Sequence, residues 1–353
     1  LVCAYREQEE VRVQTIVGWD IGGAHVKAAR LVDGRVTSVR QMPCPLWKGL
    51  DELGPVIRHL QSDFGPADLH VATMTGELAD IFPDRCTGVI SISSVLARTL
   101  PAQTLRLYGG RSGFVVPSAV ERHAADVASA NWHASAALAA RHGDGLFVDI
   151  GSTTTDIVAF RDGNILAGGY SDAERLACGE LVYTGLTRSF VMALASRVPF
   201  RGAWTTIAAE YFASSADVYR VLGMLDEDTD QMPAADGRPK TVAASRARLA
   251  RMIGRDAADA VDGEWHDLAA WFAEAQIRQI HDGAMLVLSR VALPKEAPVI
   301  AAGVGAALVR TLAQRLGRPS RAFAGLVDVA GMGWADACAP AVAVALLAAE
   351  NSR

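Results

Sequence analysis

Cysteine is scarce and scattered. Cys3, Cys44, Cys86, Cys178 and Cys338 are odd in number and form no C-x-x-C pair. That pattern excludes a disulfide framework, argues against a zinc site and leaves reduced thiols. The eight histidines show no H-x-H or H-E-x-x-H spacing either. No block of lysine and arginine interleaves with aromatics, and the formal charge is −5, so neither a nucleic-acid groove nor a surface for anionic membranes is expected. Small-molecule partners are the reading that remains. Long apolar runs are missing as well. The longest stretch rich in Ala, Val and Leu, residues 337–349, contains Pro340 and falls short of the roughly 20 residues that span a bilayer. It reads as a buried helix. The opening "LVCAYREQEEVRVQT" has no apolar core of a secretion signal, which predicts a cytoplasmic protein with a frayed or extended leader.

The chain does hold enough apolar residues for large cores. Half of its 353 residues are hydrophobic and 21% are charged, values suited to two domains of ordinary size. An internal repeat supports that division. Shifted by 129 positions, "DIGGAHVKAARLVDGRV" (residues 20–36) lies over "DIGSTTTDIVAFRDGNI" (residues 149–165) without a gap. Asp20/Asp149, Ile21/Ile150, Gly22/Gly151, Asp33/Asp162 and Gly34/Gly163 are identical. Each copy reads as strand, D-x-G turn, strand, D-G turn, strand.

The coarse reading around the repeat is α/β. Strands are predicted near 15–19, 26–31 and 36–42, followed by a helix over 49–64, a strand over 69–73 and a helix over 83–100. Short strands follow in "TLRLYGG" and "GFVV", then a helix over 134–141. Strands 146–149 and 156–161 belong to the second copy. Residues 297–317 read as strand, Gly-x-Gly turn and helix, and "AGLVDV" as a last strand. Residues 170–295 read as a mostly helical insertion, with Phe212, Ala216, Tyr219 and Leu222 on one face and "EDTDQMPAADGRPK" as a surface loop. Trp265 and Trp271 are expected in the core.

Three constellations could carry chemistry. Gly22 and Gly23 would let backbone N–H groups approach an anion. Lys27 could then neutralise a terminal phosphate, and Asp20 could orient water around Mg²⁺. The plainer alternative is a glycine-closed hairpin with Lys27 in solvent. In the second turn, Asp149 is a further Mg²⁺ candidate, and Gly151, Ser152, Thr153 and Thr154 offer N–H groups and hydroxyls to phosphate oxygens. That run could equally be a Thr-rich strand. Gly303 and Gly305, ahead of a helix, could meet a nucleotide or simply allow close packing.

Together these segments resemble the phosphate-one, phosphate-two and adenosine segments of the actin, sugar-kinase and Hsp70 superfamily. "DIGGAHVKAA" and "VDIGSTTTDIV" are most similar to the hydantoinase/oxoprolinase branch. "ATMTGELADIF", "ACGELVYTGLTRS", "EYFASSADVYRVLG" and "SRARLARMIGRD" resemble its short members associated with tetrahydromethanopterin-linked one-carbon metabolism, including the methanofuran-type synthase. The resemblance implies a duplicated two-domain fold of the ribonuclease H-like type with a central cleft. Residues 1–143, completed by a C-terminal helix over 335–353, would form the first domain. Residues 144–334, with the insertion 170–295, would form the second. The implied activity joins an aminomethylfuran-methanol diphosphate to the phenol oxygen of a γ-glutamyl-tyramine-like or tyrosine-like acceptor and releases pyrophosphate. Lys27, Mg²⁺ and N–H groups would stabilise the leaving diphosphate. His25, Glu77 and Asp156 are unranked candidates for the base. His25 could also be a partly exposed turn residue, Glu77 a helix cap, and Asp217 either a cleft residue or a solvent-facing one. Replacement of Lys27 by Ala is expected to remove activity and spare the fold. An ATP-dependent small-molecule kinase or amidohydrolase, and a non-catalytic nucleotide-binding regulator, are the competing functions. Homo-oligomerisation is left open.

Overall fold

A computed structural model describes residues 14–330 and 334–351. The expected leader lies almost wholly outside the described residues. β1 (Thr15–Ile21), β2 (His25–Val32) and β3 (Arg35–Pro43) form an antiparallel meander. α1 (Leu53–Phe64) returns the chain to β4 (Leu69–Met74), parallel to β1. α2 (Arg85–Thr99) then leads to β5 (Leu105–Tyr108), and β6 (Phe114–Val115) closes a six-stranded sheet of order β3-β2-β1-β4-β5-β6.

The second half begins through α3 (Ala124–Val127) and α4 (Asn131–Ala140). β7 (Gly145–Ile150) pairs antiparallel with β8 (Thr155–Arg161), and β9 (Asn164–Ile165) continues from β8. α5 (Asp172–Ala177) precedes β10 (Leu181–Val182), which pairs with the start of β8. Next come α6 (Val191–Leu194), the hairpin β11 (Arg197–Phe200) and β12 (Ala203–Thr206), α7 (Ser215–Val221), α8 (Val242–Met252) and the 29-residue α9 (Asp262–Arg290). β13 (Val299–Ala302) enters parallel to β7. α10 (Ala306–Arg315) connects it to β14 (Ser320–Ala322), and α11 (Ala339–Asn351) ends the described chain. The second sheet runs β10-β8-β7-β13-β14, with β9 on β8.

The repeat is visible in the backbone. Asp33 and Gly34 have φ of 50° and 82°, and their counterparts Asp162 and Gly163 have 52° and 75°. Positive φ at both central residues is the hairpin turn whose twist matches that of its strands, which explains an Asp-Gly pair in each copy. The copies differ in their third strands. β3 has nine residues, whereas β9 has two, and β10 takes the neighbouring space on β8.

Two alanine-rich helices join the sheets. Ala134, Ala136 and Ala139 of α4 and Ala341, Val342 and Ala345 of α11 share one core with Ile16 and Val71 of the first sheet and Phe147 and Val158 of the second. A helix apolar on every side belongs inside a protein, and α11 has the buried surroundings expected of residues 337–349. α1 and α2 cover the other face of the first sheet. α9 and α10 cover the second, while α7, α8 and the start of α9 pack around Trp265.

Several expectations require correction. "AGLVDV" is not a strand: residues 323–326 form a 3-10 turn, the strand lies earlier at β14, and Val329 makes only an isolated bridge to Val36. Leu326 is buried by the turn rather than by sheet pairing, and Val327 and Val329 are half-buried beyond it. Phe212 precedes α7 and shares no helical face with Tyr219. The insertion includes a hairpin, and β10 returns part of it to the second sheet. Trp265 is fully buried, with Nε1 donating to the Ala257 and Ala260 carbonyls, but Trp271 is 37% exposed and meets Trp204 edge-on.

Candidate active site

β1 and β7 each lie beside a parallel neighbour, β4 and β13. The C-terminal ends of such strands are where open α/β sheets present their binding crevices. Both D-x-G turns emerge there and line one cleft of about 340 Å³. The Gly22 N–H donates to the His25 carbonyl at 2.9 Å, and the Gly151 N–H donates to the Thr154 carbonyl at 2.9 Å. The repeat thus reproduces its turn-closing hydrogen bond 129 residues later.

The two turns carry opposite charges at equivalent positions. Asp20 and Lys27 face each other across β1 and β2, with Nζ 3.6 Å from Oδ2. In the second copy Asp149 faces Asp156, so an acid replaces the lysine. Asp156 finds its counter-charge elsewhere, in Arg175 of α5 at 2.8 Å, whose guanidinium lies over the Trp132 ring. Burial pushes the Asp149 carboxyl up to about 7, with Lys27 opposing. Burial also raises Asp20 against the pull of Lys27, and raises Asp156 against the pull of Arg175. For Lys27 burial acts downward, but Asp20 and Asp149 outweigh it and hold the ammonium above its ordinary value. One cation therefore serves carboxylates from both halves of the chain.

Of the residues singled out from sequence, Asp20, Gly22, Gly23, His25, Lys27, Asp149, Gly151, Ser152, Thr153, Thr154 and Asp156 all line the cleft. Lys27 is paired rather than a solvent lysine. His25 is buried rather than partly exposed. Burial, then the charges of Lys27 and Arg188, hold its imidazole down at about 3, a poor match for taking a proton at neutral pH.

Glu77, Gly303 and Gly305 stand apart from the cleft lining. The two glycines lie against Ile150 behind the second turn, which is the packing alternative. Glu77 does not cap the following helix, because Asp84 fills that role by accepting from the Thr87 N–H. Glu77 is buried, and Ser129 Oγ donates to it at 2.7 Å. Asp217 faces neither the cleft nor water. It is buried among Ser245, Arg248 and Arg220, where it ties α7 to α8.

Burial pushes the Glu77 carboxyl up to about 7 against the hydrogen bond from Ser129. The folded state then prefers the protonated acid. That stability is complete below the ordinary value and is lost as pH rises through about 7, a difference of about 3 kcal/mol at most. Glu77→Gln, neutral throughout, is expected to flatten the fall in melting temperature between about pH 5 and about pH 8. Parallel pH profiles for variant and parent would contradict this placement of Glu77.

Sequence reasoning missed Trp47, Ser129, Arg175, Tyr183 and Arg188, all of which line the cleft. The two arginines lie within or beside the "ACGELVYTGLTRS" segment that carried the resemblance, but no local spacing marks their role.

The chain matches the hydantoinase/oxoprolinase family over residues 68–348. It is 31% identical over 256 residues to the (4-{4-[2-(gamma-L-glutamylamino)ethyl]phenoxymethyl}furan-2-yl)methanamine synthase of Methanocaldococcus jannaschii, over 72% of this chain and 76% of that one. The synthase of the same name from Methanococcus vannielii is 34% identical over 111 residues, or 31% of this chain and 50% of that one. Among solved structures, a nucleotide-free acetone carboxylase is similar with a TM-score of 0.57 at 12% identity, over 94% of this chain and 70% of that one. That likeness concerns the fold alone. The chain belongs to the hydantoinase/oxoprolinase family and is an enzyme built on the actin and sugar-kinase fold.

Proposed function

We propose that this enzyme is a transferase of methanofuran-type cofactor biosynthesis. It joins an aminomethylfuran-methanol diphosphate to the phenol of a γ-glutamyl-tyramine-like acceptor, the group present in the product for which its relatives are named. The observation that carries this reading is the pair of D-x-G turns lining one cleft, with Lys27 paired to Asp20 and its charge favoured by Asp149 as well.

The charge balance calls for a metal with the diphosphate. Asp20, Asp80, Asp149, Asp156 and Asp172 line the cleft against Lys27, Arg175 and Arg188, with Asp172 also paired to Arg85 of α2. Asp20 Oδ1 is buried without a hydrogen-bond partner. Mg²⁺ takes one or two carboxylates, keeps several waters and shares substrate phosphates, so Asp20 and Asp149 fit it. A closed metal cage does not fit, since no cluster of three ligating side chains occurs among the described residues. The ion would neutralise phosphate charge.

In the reaction, the phenol oxygen forms a bond to the furfuryl carbon as the bond from that carbon to the diphosphate oxygen breaks. Both electrons of the broken bond leave with pyrophosphate. The N–H groups of Gly22 and Gly151 close their own turns, so the N–H groups that follow them, at Gly23, Ser152 and Thr153, and Lys27 meet the charge that develops on the leaving group. The furan ring spreads positive charge from the reacting carbon. A phenol of ordinary pKa near 10 must lose its proton, and this reading assigns that task to none of the three side chains suggested for it. His25 is a weak base, Asp156 is held by Arg175, and Glu77 lies outside the cleft lining. The proton passes to a basic oxygen of the departing diphosphate.

Incubation with the furan diphosphate, the phenolic acceptor and Mg²⁺ is expected to yield ether and pyrophosphate in equal amounts without ATP. Absence of ether alongside ATP turnover on another acceptor would overturn the proposal. The ATP-dependent alternative drew on Gly303 and Gly305, whose packing against Ile150 accounts for them without a nucleotide.

A further inference from the structure

The cations of the cleft are not equivalent. Lys27 is paired with Asp20, and Arg175 with Asp156. Arg188 has no carboxylate partner among the described residues, although burial disfavours its charge. Arg188 is half-buried, and a cation partly withdrawn from water without a counter-ion carries some desolvation cost. Its position is nonetheless supported from two sides. The guanidinium lies 4.9 Å from the centroid of the Trp47 ring, and Nη1 donates to Thr153 Oγ1 at a long 3.4 Å. Trp47 follows β3 of the first sheet, while Thr153 belongs to the second D-x-G turn. The indole braces one face of a planar group whose N–H donors match an oxyanion in forked geometry.

Resting on the diphosphate reading, we infer that Arg188 binds the terminal phosphoryl group of the diphosphate held at the second turn. The counter-ion of Arg188 is then the substrate itself. The same guanidinium chemistry could take a carboxylate of the acceptor, but the contact with Thr153 places it at the phosphate side of the cleft.

The test is calorimetric titration of inorganic pyrophosphate with Mg²⁺, and separately of the phenolic acceptor, into the parent, Arg188→Met and Arg188→Lys. Methionine keeps an apolar stem near Trp47, and lysine keeps the charge without the fork. Pyrophosphate affinity is expected to fall about tenfold or more in Arg188→Met and part of the way in Arg188→Lys, with acceptor affinity unchanged. Arg188→Lys carries the test if the methionine variant misfolds. Unchanged pyrophosphate affinity would overturn the assignment while leaving the diphosphate reading intact. Loss of acceptor affinity alone would assign the guanidinium to the acceptor carboxylate and overturn it as well. A parent protein that fails to bind pyrophosphate would overturn both readings.

Discussion

Lys27→Met is expected to lower turnover by about 100-fold or more, in line with the loss of a charge that stabilises a leaving group. It is also expected to destabilise the fold by about 3–5 kcal/mol, the usual result of removing one partner from a buried ion pair. The second effect departs from the sequence expectation, which had the fold spared. Asp20 is 3% exposed and Asp149 7%, and Lys27 pairs with the first and favours the charged form of the second. Without the ammonium those acids stay buried together and must take up protons. Adding Asp20→Asn to Lys27→Met removes one stranded charge, so the double variant should regain stability but not turnover. Denaturant titration and steady-state rates separate the two effects. Turnover near that of the parent would show that Lys27 does not meet the leaving group.

Gly303→Ala is expected to damage the same site from behind. Gly303 has φ of +82°, and a Cβ there would lie 2.2 Å from Asp149 Oδ1 and 2.2 Å from the Ile150 carbonyl oxygen. The positive φ alone costs an alanine about 1–2 kcal/mol. The overlap with Ile150 involves backbone, which cannot swing aside as a side chain could. The total loss is expected to be on the order of 3 kcal/mol or more. Because Asp149 must move, turnover should fall by about 100-fold as well, the scale of a 1 Å misplacement at a reacting centre. Gly23→Ala is the control for stability, since a Cβ there meets nothing within 4 Å. A Gly303→Ala protein that melts with the parent would contradict the close packing of this turn against β7.

Much of the architecture was legible because local chemistry and periodicity agreed. Asp-Gly at 33–34 and again at 162–163 specified the same hairpin twice, and an apolar run too short for a bilayer specified α11. The end of the second sheet was misread because Val327 and Val329, two apart around Asp328, have the period of a strand, while the chain buries Phe323 and Leu326 through a 3-10 turn. At the candidate site, the meeting of the two turns in one cleft was legible from the repeat. Their electrostatics were not. The partner of Asp156 is Arg175, and the support of Arg188 comes from Trp47 and Thr153, each brought in by a different part of the fold. No sequence spacing encodes such meetings. The burial of Glu77 was illegible for a related reason, since its motif gives no sign that Ser129 donates to it.

Positional labelling of the substrate tests the central claim most directly. Oxygen-18 is placed in the bridge between the furfuryl carbon and the diphosphate, and the products of a complete turnover are weighed by mass spectrometry. Displacement at carbon requires all of the label in pyrophosphate and none in the ether, whose oxygen comes from the phenol. Label retained in the ether, or recovered in a free furan alcohol beside a phosphorylated acceptor, would mean that the cleft transfers phosphorus rather than carbon.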